Sequence, residues 1–521
     1  MTYPWILALA AFGCSRPSAP PHAPLATAAP RLVVLLVIDQ WPQWAFRVKR
    51  PQLTGGFDRL LREGEWHTGE HPCPATHTAP GHALLGSGEA SGRSGILANE
   101  WWDRDVERVV RSVDDPAGGL TAARLRVPGL GDAIDVANSG AKAVAVSLKD
   151  RAAILPLGHS GTAIWYDHEA VAFTSAKPLA WLAAHERAHP IAARLHDVWA
   201  PLDPARLARL TGVADDQPGE VGEKGFGPTF PHILADTKDP ADAVFASPLG
   251  NELVFAIAGA AIDGERLGTD DATPDLLVLS LSAHDFVGHG WGHESWEAWD
   301  ETLRLDRQIS EFLTTLDAKI GAGRWAMLVT SDHGASPLPE RIGGGRITHE
   351  SLHDAANRAA IAEFGPGEWI GLAKYPYVYL SAAARAKPAR ERDTALKKIM
   401  FALRSYPGIE LVAKTADFAG RCDTRTGAAA AYCLMLDPER SGEIFFLPKR
   451  GWIFQEQAEP LATAHGSFHD YDREVPVIVL PPGRRAHAAL AKPDAAVIPM
   501  VRIASILAGW LGVPPPLSLP R

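Results

Sequence analysis

Six aspartate and histidine side chains in the sequence are candidate ligands for divalent metal ions, which these residue types hold at many catalytic sites. Asp285 and His289 lie four residues apart, so on a helix they share one face and can bind one ion. Carboxylate and imidazole ligands without cysteine are typical of catalytic zinc. Six ligands suffice for two ions, which clamp a phosphorus centre when about 4 Å apart. The six residues are Asp39, Asp285, His289, Asp332, His333 and His465.

The stretch HPCPATHTAPGHALLGSG (71–88) contains two threonine hydroxyls, Thr76 and Thr78. A threonine alcohol is a poor nucleophile, but coordination to a divalent ion lowers the pKa of a bound oxygen. Pro80 favours the first turn of a helix, so Thr78 is expected near an N-cap, where the helix dipole attracts anions. We therefore predict Thr78 as the nucleophile of a phosphoryl transfer. The alternative is that Thr78 only caps the helix.

Phosphoryl transfer also needs donors for the remaining phosphate oxygens. Asn99, in GILANEWWD, offers a neutral amide. Lys149 and Arg151 lie two residues apart after an apolar run and point to one side if strand geometry continues. Together they suit the extra negative charge of a phosphate monoester, although a Lys-Asp-Arg triplet taken alone is more often exposed to solvent.

These residues follow apolar segments that read as buried strands. Amphipathic helical stretches, such as 55–64 and 295–320, lie between the segments, and this alternation predicts an α/β protein with a mainly parallel sheet. Four of the segments are followed at once by charged or ligand-type residues. Open α/β sheets place their sites at that end of the strands. The five predicted strands are 31–38, 143–148, 275–281, 325–331 and 475–480.

The composition is that of an ordinary folded chain, with 46% hydrophobic and 21% charged residues among 521. The formal net charge of −10 and the pI near 6.1 argue against a nucleic acid or an anionic membrane as the main partner. Of the four cysteines, Cys422 and Cys433 flank an Ala-rich loop and can pair in an oxidising compartment, which leaves Cys73 and Cys14.

The first residues resemble a bacterial lipoprotein signal. A short apolar run ends at Gly13-Cys14, and a Pro/Ala-rich linker over 15–30 follows. We predict a signal over 1–14 with Cys14 as the lipidated residue, and hence an exported protein that is periplasmic or anchored to a membrane. The alternative is a buried N-terminal helix.

The motifs taken in order resemble the alkaline phosphatase superfamily, in its type I phosphodiesterase/nucleotide pyrophosphatase family, and most of all a branch of alkaline phosphatases with a threonine nucleophile. The resemblance implies a three-layer α/β sandwich with a mainly parallel central sheet and cap or crown insertions. The catalytic domain is then expected over 31–515, with a cap near 155–270 and a small α+β insertion near 370–450. The motifs are VIDQ, THTAPGHALLGSG with GRSGILANEWWD, SLKDR, HDFVGHGWG, TSDHG and HGS with YD and PVIVL.

The resemblance also implies the role of each residue. Thr78 matches the nucleophile, Asn99 the amide that holds a phosphate oxygen, and Lys149 with Arg151 the pair that accompanies monoester preference. Two Zn²⁺ ions are implied. The ligands implied for one zinc are Asp285, His289 and His465; those for the other are Asp39, Asp332, His333 and the Thr78 oxygen.

The expected function is that of an exported, zinc-dependent phosphatase, a monomer acting on small phosphate monoesters with broad specificity. The nearest alternative is a nucleotide pyrophosphatase or phosphodiesterase on the same scaffold. A sulfatase fits less well, because CPATH (73–77) places its proline one position early and lacks the arginine of that motif. The further alternative is an inactive, ligand-binding surface lipoprotein.

Three departures from the family pattern concern substrate preference. His293 stands where proline is usual and is expected at the rim of the site. Glu-Trp-Trp follows Asn99 and is expected to reshape the pocket wall. His469 stands where relatives often have a smaller or an aromatic residue.

Overall fold

The computed structural model describes residues 29–137, 140–269, 273–483 and 496–519. The predicted signal that ends at Cys14 lies outside the described residues. The β-strands are β1 (Leu32–Ile38), β2 (Glu65–Glu70), β3 (Glu100–Asp103), β4 (Arg108–Arg111), β5 (Ala143–Ser147), β6 (Thr162–Asp167), β7 (Ala172–Ser175), β8 (Val198–Trp199), β9 (His232–Ile233), β10 (Asp275–Leu281), β11 (Trp325–Thr330), β12 (Gly345–Thr348), β13 (Ile370–Lys374), β14 (Tyr377–Leu380), β15 (Ile409–Lys414), β16 (Ile444–Pro448), β17 (Trp452–Gln455), β18 (Glu474–Leu480) and β19 (Val497–Pro499).

Helices connect most of these strands. They are α1 (Gln43–Lys49), α2 (Gly56–Glu63), α3 (Thr78–Ser87), α4 (Ser91–Ser94), α5 (Leu130–Ala137), α6 (Asp150–Ile154), α7 (Ala180–Ala188), α8 (Pro204–Thr211), α9 (Pro240–Ala243), α10 (Pro248–Gly264), α11 (Ala283–Trp291), α12 (Trp296–Leu316), α13 (Pro339–Ile342), α14 (His349–Phe364), α15 (Ala382–Arg385), α16 (Ala389–Arg404), α17 (Gly427–Leu434), α18 (Asp470–Arg473) and α19 (Ile503–Leu511).

The central sheet has nine strands in the order β19-β2-β18-β11-β1-β10-β5-β6-β7. Its middle is parallel from β11 to β6, whereas β18 runs antiparallel to β11 and β7 antiparallel to β6. All five strands predicted from apolar runs are present, as β1, β5, β10, β11 and β18, and the prediction of a mainly parallel sheet is confirmed. Since β18 is antiparallel, the last predicted strand leaves the sheet at the opposite end from the others.

Helices cover both faces of the sheet, as the alternating side chains of β1 show. Leu32, Val34 and Leu36 pack in the same core as α2, α10 and α12. Val33 and Leu35 face the other way and pack with α3, α5 and α19. All seven residues of β1 are buried, which explains why the strand is apolar throughout and does not alternate. The result is a three-layer α/β sandwich.

Two segments were expected to lie outside this sandwich. Within 155–270, β6 and β7 extend the central sheet and α10 packs on it, so only the part between β7 and α10 stands apart from the sheet. Near 370–450, a separate antiparallel sheet in the order β13-β14-β16-β15 packs against α14 and α16. A disulfide joins Cys422 and Cys433 there, as the sequence predicted, and Cys73 is a buried free thiol.

No single helix among the described residues is both long and apolar enough to cross a membrane. One bent pair, Pro240–Ala246 with Pro248–Gly264 at 87°, reaches the length and hydropathy only when the two are joined, and α10 of that pair packs in the core.

Helix α3 depends on a close approach to the loop after β11. A Cβ on Gly81 would lie 2.3 Å from the carbonyl oxygen of Asp332, which is backbone and cannot move aside. We expect Gly81→Ala to lower the free energy of unfolding by about 1–3 kcal/mol through overpacking. The matched change Gly259→Ala in α10, where a Cβ meets nothing within 4 Å, is expected to raise it by up to about 1 kcal/mol. Urea unfolding measures both, and equal effects would contradict this account of α3.

Candidate active site

The predicted ligands meet at the carboxyl ends of the parallel strands. Asp39 follows β1 directly, Asp332 and His333 follow β11 after Ser331, and Asp285 lies in the first turn of α11 after β10. Because β1 is hydrogen-bonded between β10 and β11 in parallel register, residues that are almost 300 positions apart in sequence emerge side by side.

One group of ligand atoms comes from α11 and the loop after β17. The Nε2 atoms of His289 and His465 lie 3.2 and 3.8 Å from Oδ1 of Asp285. The spacing of four residues between Asp285 and His289 puts both on one face of α11, as predicted. Their ligand atoms all lie within 4.8 Å of one another, close enough for one ion to bridge.

A second group surrounds Asp39. Its Oδ1 lies 3.6 Å from Nε2 of His333, and Oδ2 of Asp332 lies 3.5 Å from the same nitrogen. Oδ1 of Asp39 and Nε2 of His333 are buried and have no hydrogen-bond partner among the described residues. Buried polar atoms without partners are rare, and two that face each other across 3.6 Å suit a shared cation. The donor set of both groups therefore fits divalent metal ions.

The three imidazoles are oriented by the backbone. The Nδ1 atoms of His289, His333 and His465 donate to the carbonyl oxygens of Thr463, Gly334 and Thr76, at 2.9, 3.0 and 2.6 Å. A carbonyl oxygen only accepts, so the proton of each ring is on Nδ1 and the lone pair on Nε2 faces the site. This arrangement is typical of metal-binding histidines.

Lys149 is the cation that balances these carboxylates in the structure. Its Nζ lies 2.7 Å from Asp39 and 2.6 Å from Asp285. Burial, and then the charge of Asp332, raise the pKa of the Asp39 carboxyl well above its ordinary value. Burial acts in the same direction on Asp285, but the Lys149 ammonium and His289 outweigh it and hold the pKa of Asp285 well below its usual range.

Thr78 is the first residue of α3, next to His77 at the N-cap position, which agrees with its expected place near an N-cap. Its Oγ1 is buried and 3.4 Å from Nζ of Lys149. The side chain of Asn99 caps the same helix end, because its Oδ1 accepts from the N–H of Ala79 at 2.9 Å. Both hydrogens of the Asn99 amide thus remain as donors beside Thr78.

Thr76 has a different role in the structure. Its hydroxyl lies within reach of the carbonyls of Pro74 and Ser467, at 3.3 and 3.5 Å, and its own carbonyl accepts from His465. Thr76 therefore orients the predicted ligand His465, while Thr78 lies beside the predicted ligand groups.

A cavity of about 380 Å³ opens beside these groups. Asn99, Arg151, His289 and His465 lie on its wall, and the outer wall includes Lys374 and other residues of the segment that follows β12. Lys149 and Arg151 both reach the site, but not by continued strand geometry. Strand β5 ends at Ser147, and the two residues are the N-cap and second residue of α6.

The three departures lie in different places. His293 is not at the rim, because it is only 1% exposed and sits behind the site. Of the three residues Glu-Trp-Trp that follow Asn99, only Glu100 lines the cavity. Trp101 is buried against Arg124 and Arg440. His469 lies at the start of α18 beside Pro448 and is not part of the cavity wall.

Two residues at the site were not predicted. Gln40 follows Asp39 in VIDQ and contacts Asp285 and Asp332. His82 lies one turn after Thr78, where Nδ1 is 2.9 Å from the Thr78 carbonyl and 3.1 Å from Oδ2 of Asp332. Their spacing from predicted residues, one and four positions, was the available signal, but a glutamine and a helical histidine are not distinctive by themselves.

A profile of the type I phosphodiesterase/nucleotide pyrophosphatase family matches residues 33–472. The chain belongs to this family. It is 29% identical over 481 residues to the alkaline phosphatase PafA of Elizabethkingia meningoseptica, with 87% of each chain covered. It is 30% identical over 489 residues to the alkaline phosphatase PhoK of a Sphingomonas species, with 87% of this chain and 84% of PhoK covered.

The crystal structure of wild-type PafA matches this structure with a TM-score of 0.82 at 25% identity, covering 94% of this chain and 96% of that one. The alkaline-phosphatase-like fold and the family predicted from the motifs are thereby confirmed. Since PafA and PhoK are alkaline phosphatases, these two comparisons support a phosphatase of the phosphodiesterase/pyrophosphatase family.

The buried ion pairs of Lys149 predict its effect on stability. Removing one partner of a buried pair leaves an uncompensated charge, so Lys149→Met should lower the free energy of unfolding in a chelator by about 3 kcal/mol. Lys319→Met removes a surface pair with Asp263 and should cost less than about 1 kcal/mol. Chemical denaturation of both variants in EDTA is the measurement. Equal small losses would show that Lys149 does not compensate the carboxylates.

Proposed function

We propose that the protein is an exported, zinc-dependent phosphatase that hydrolyses phosphate monoesters through a covalent phospho-threonine at Thr78. The observation that carries the proposal is the position of the Thr78 hydroxyl. It lies at the N-terminus of α3, beside two groups of Asp and His side chains, and its neighbours His77 and Asn99 line the cavity. A helix N-terminus and a set of cation ligands together favour an anionic oxygen and a phosphate.

Two zinc ions fit the donor set, with Asp285, His289 and His465 for one, and Asp39, Asp332, His333 and the Thr78 oxygen for the other. When bound, they would supply positive charge that lowers the pKa of the threonine alcohol and of the leaving oxygen. All six protein ligands are buried or half-buried and close together, which argues against the alternative of an inactive binding lipoprotein.

The reaction has two displacements. Thr78 Oγ1 attacks phosphorus, the bond to the leaving oxygen breaks, and the proton lost by the threonine hydroxyl ends on the departing alcohol. Water then attacks the same phosphorus, the bond to Thr78 breaks, one water proton returns to the threonine oxygen, and inorganic phosphate leaves. Asn99 donates to a phosphate oxygen through the amide hydrogens that Ala79 leaves free, and the charge of Arg151 binds another.

Charge favours a monoester over a diester. At neutral pH a monoester dianion has one more negative charge than a diester. Lys149, at the N-cap of α6, lies 3.4 Å from the Thr78 hydroxyl, and Arg151 lines the cavity. The alternative of a nucleotide pyrophosphatase or phosphodiesterase is favoured by the description of the family itself. Small phosphate esters are the proposed substrates and a monomer the proposed state. Export, and anchoring through Cys14, remain proposals from the sequence.

The first test separates the two threonines. Thr78→Ala should abolish turnover, about 1,000-fold or more, because no residue then accepts the phosphoryl group. Thr76→Val should keep activity within about 5-fold, since the carbonyl that orients His465 is unchanged. The wild type, quenched during turnover, should have phosphate on the peptide that contains Thr78. Loss of activity in both variants, or label elsewhere, would refute the nucleophile.

The second test concerns substrate class. Arg151→Ala should lower kcat/KM for an aryl phosphate monoester about 10- to 100-fold, the worth of one charged hydrogen bond, and leave a matched diester within about 3-fold. Arg93→Ala removes a surface arginine paired with Glu89 and serves as the control. If the wild type prefers the diester strongly, the pyrophosphatase alternative replaces our proposal.

A further inference from the structure

Gln40 is a buried residue that touches both ligand groups. It follows Asp39, has a backbone φ of 57° and is 0% exposed. Left-handed backbone is uncommon for a residue with a side chain and costs about 1 kcal/mol or more, so the surrounding structure must hold it there. The conformation occurs where the chain leaves β1 and turns across the end of the sheet.

The contacts of Gln40 reach an aspartate of each group. Its main-chain N–H donates to Oδ1 of Asp332 at 3.3 Å. Its side-chain Nε2 donates to Oδ1 of Asp285 at 2.6 Å and lies 3.2 Å from Nε2 of His289. Gln40 thus connects the Asp332 carboxylate, in the loop after β11, with the Asp285 carboxylate on α11.

The chemistry of these neighbours fixes which way the amide points. A carboxylate accepts hydrogen bonds, so the NH₂ of Gln40 must face Asp285 and its carbonyl oxygen must face away. That oxygen, Oε1, lies 3.0 Å from Nε2 of His293, which therefore carries the proton and donates. His293 is packed between Trp44 and His284, with ring centroids at 6.0 and 5.3 Å.

Space for this pair depends on Gly288. A Cβ at that position would lie 2.0 Å from Oε1 of Gln40 and 3.0 Å from Cε1 of His293. Helix α11 therefore approaches the pair closely on the turn that lies between Asp285 and His289. Neither Gln40 nor His293 lines the cavity.

We propose that Gln40 is a positioning residue that fixes the Asp285 carboxylate relative to Asp332, and that His293 holds the Gln40 amide in the orientation this requires. The proposal rests on the proposed function, because the carboxylates are held for metal ions. It also assigns a role to His293, which stands where the family pattern has proline.

The test compares changes of matched size in the full-length protein. Gln40→Met removes the amide but keeps length and the main-chain bond to Asp332. His293→Phe keeps a ring of the same shape but loses the donor. Gln43→Met is the control, since Gln43 is equally buried and its amide bonds Thr68. His293→Gln restores a donor near the position of Nε2.

The readout is zinc affinity, measured by competition with a chromogenic chelator, beside steady-state kinetics. Changes at residues that orient metal ligands typically cost about 10- to 100-fold in affinity. We expect this loss of affinity for one of the two zinc ions in Gln40→Met and in His293→Phe. His293→Gln should recover part of the affinity, and Gln43→Met should bind both zinc ions as tightly as the wild type.

The outcomes distinguish this proposal from the proposed function. If the wild type binds two zinc ions and all four variants bind them equally well, the positioning role is wrong and the phosphatase proposal stands. If Gln43→Met loses zinc as strongly as Gln40→Met, general destabilisation explains the result and the positioning role is again wrong. If the wild type itself binds no zinc, the proposed function fails, and this proposal fails with it.

Discussion

Three buried carboxylates brought to one place are the constraint on which the rest of this structure depends. Asp39, Asp285 and Asp332 are at most 3% exposed, and like charges out of water repel strongly. Such a cluster is stable only with cations among the oxygens. In the structure the ammonium of Lys149 has that role, and in the proposed enzyme metal ions share it. The geometry of the site therefore places cations where they compensate the buried negative charges.

The parallel sheet allows this convergence, because β1, β10 and β11 end at the same edge of the sheet and place the residues that follow them side by side. Helix α11 adds His289 by its own periodicity. His465 is different, since it reaches the site from a loop and is held by the Thr76 carbonyl, two residues before the proposed nucleophile Thr78. The loop before α3 thus both supplies the proposed nucleophile and orients the proposed ligand His465, which couples the two groups.

Sequence predicted those parts that local pattern determines. Strands buried on both faces are apolar throughout, so β1, β10 and β11 could be located from the sequence. The candidate ligands could then be found directly after these strands. Parts set by tertiary packing could not be read. Burial of His293 depends on the closeness of α11 to Gln40, and the ion pairs of Lys149 on where α6 begins. Strands β6 and β7 have mixed polarity because they lie at an edge of the sheet.

Charge also connects the metal ligands to the choice of substrate. In the proposed enzyme three carboxylates carry three negative charges and two zinc ions four positive ones. Lys149 and Arg151 add two more, which leaves three positive charges. A threonine alkoxide and a monoester dianion together carry three negative charges and cancel them, whereas a diester leaves one charge over. A buried site penalises an unbalanced charge more than solvent does, so in the proposed enzyme the two cations that follow β5 would decide between the substrate classes.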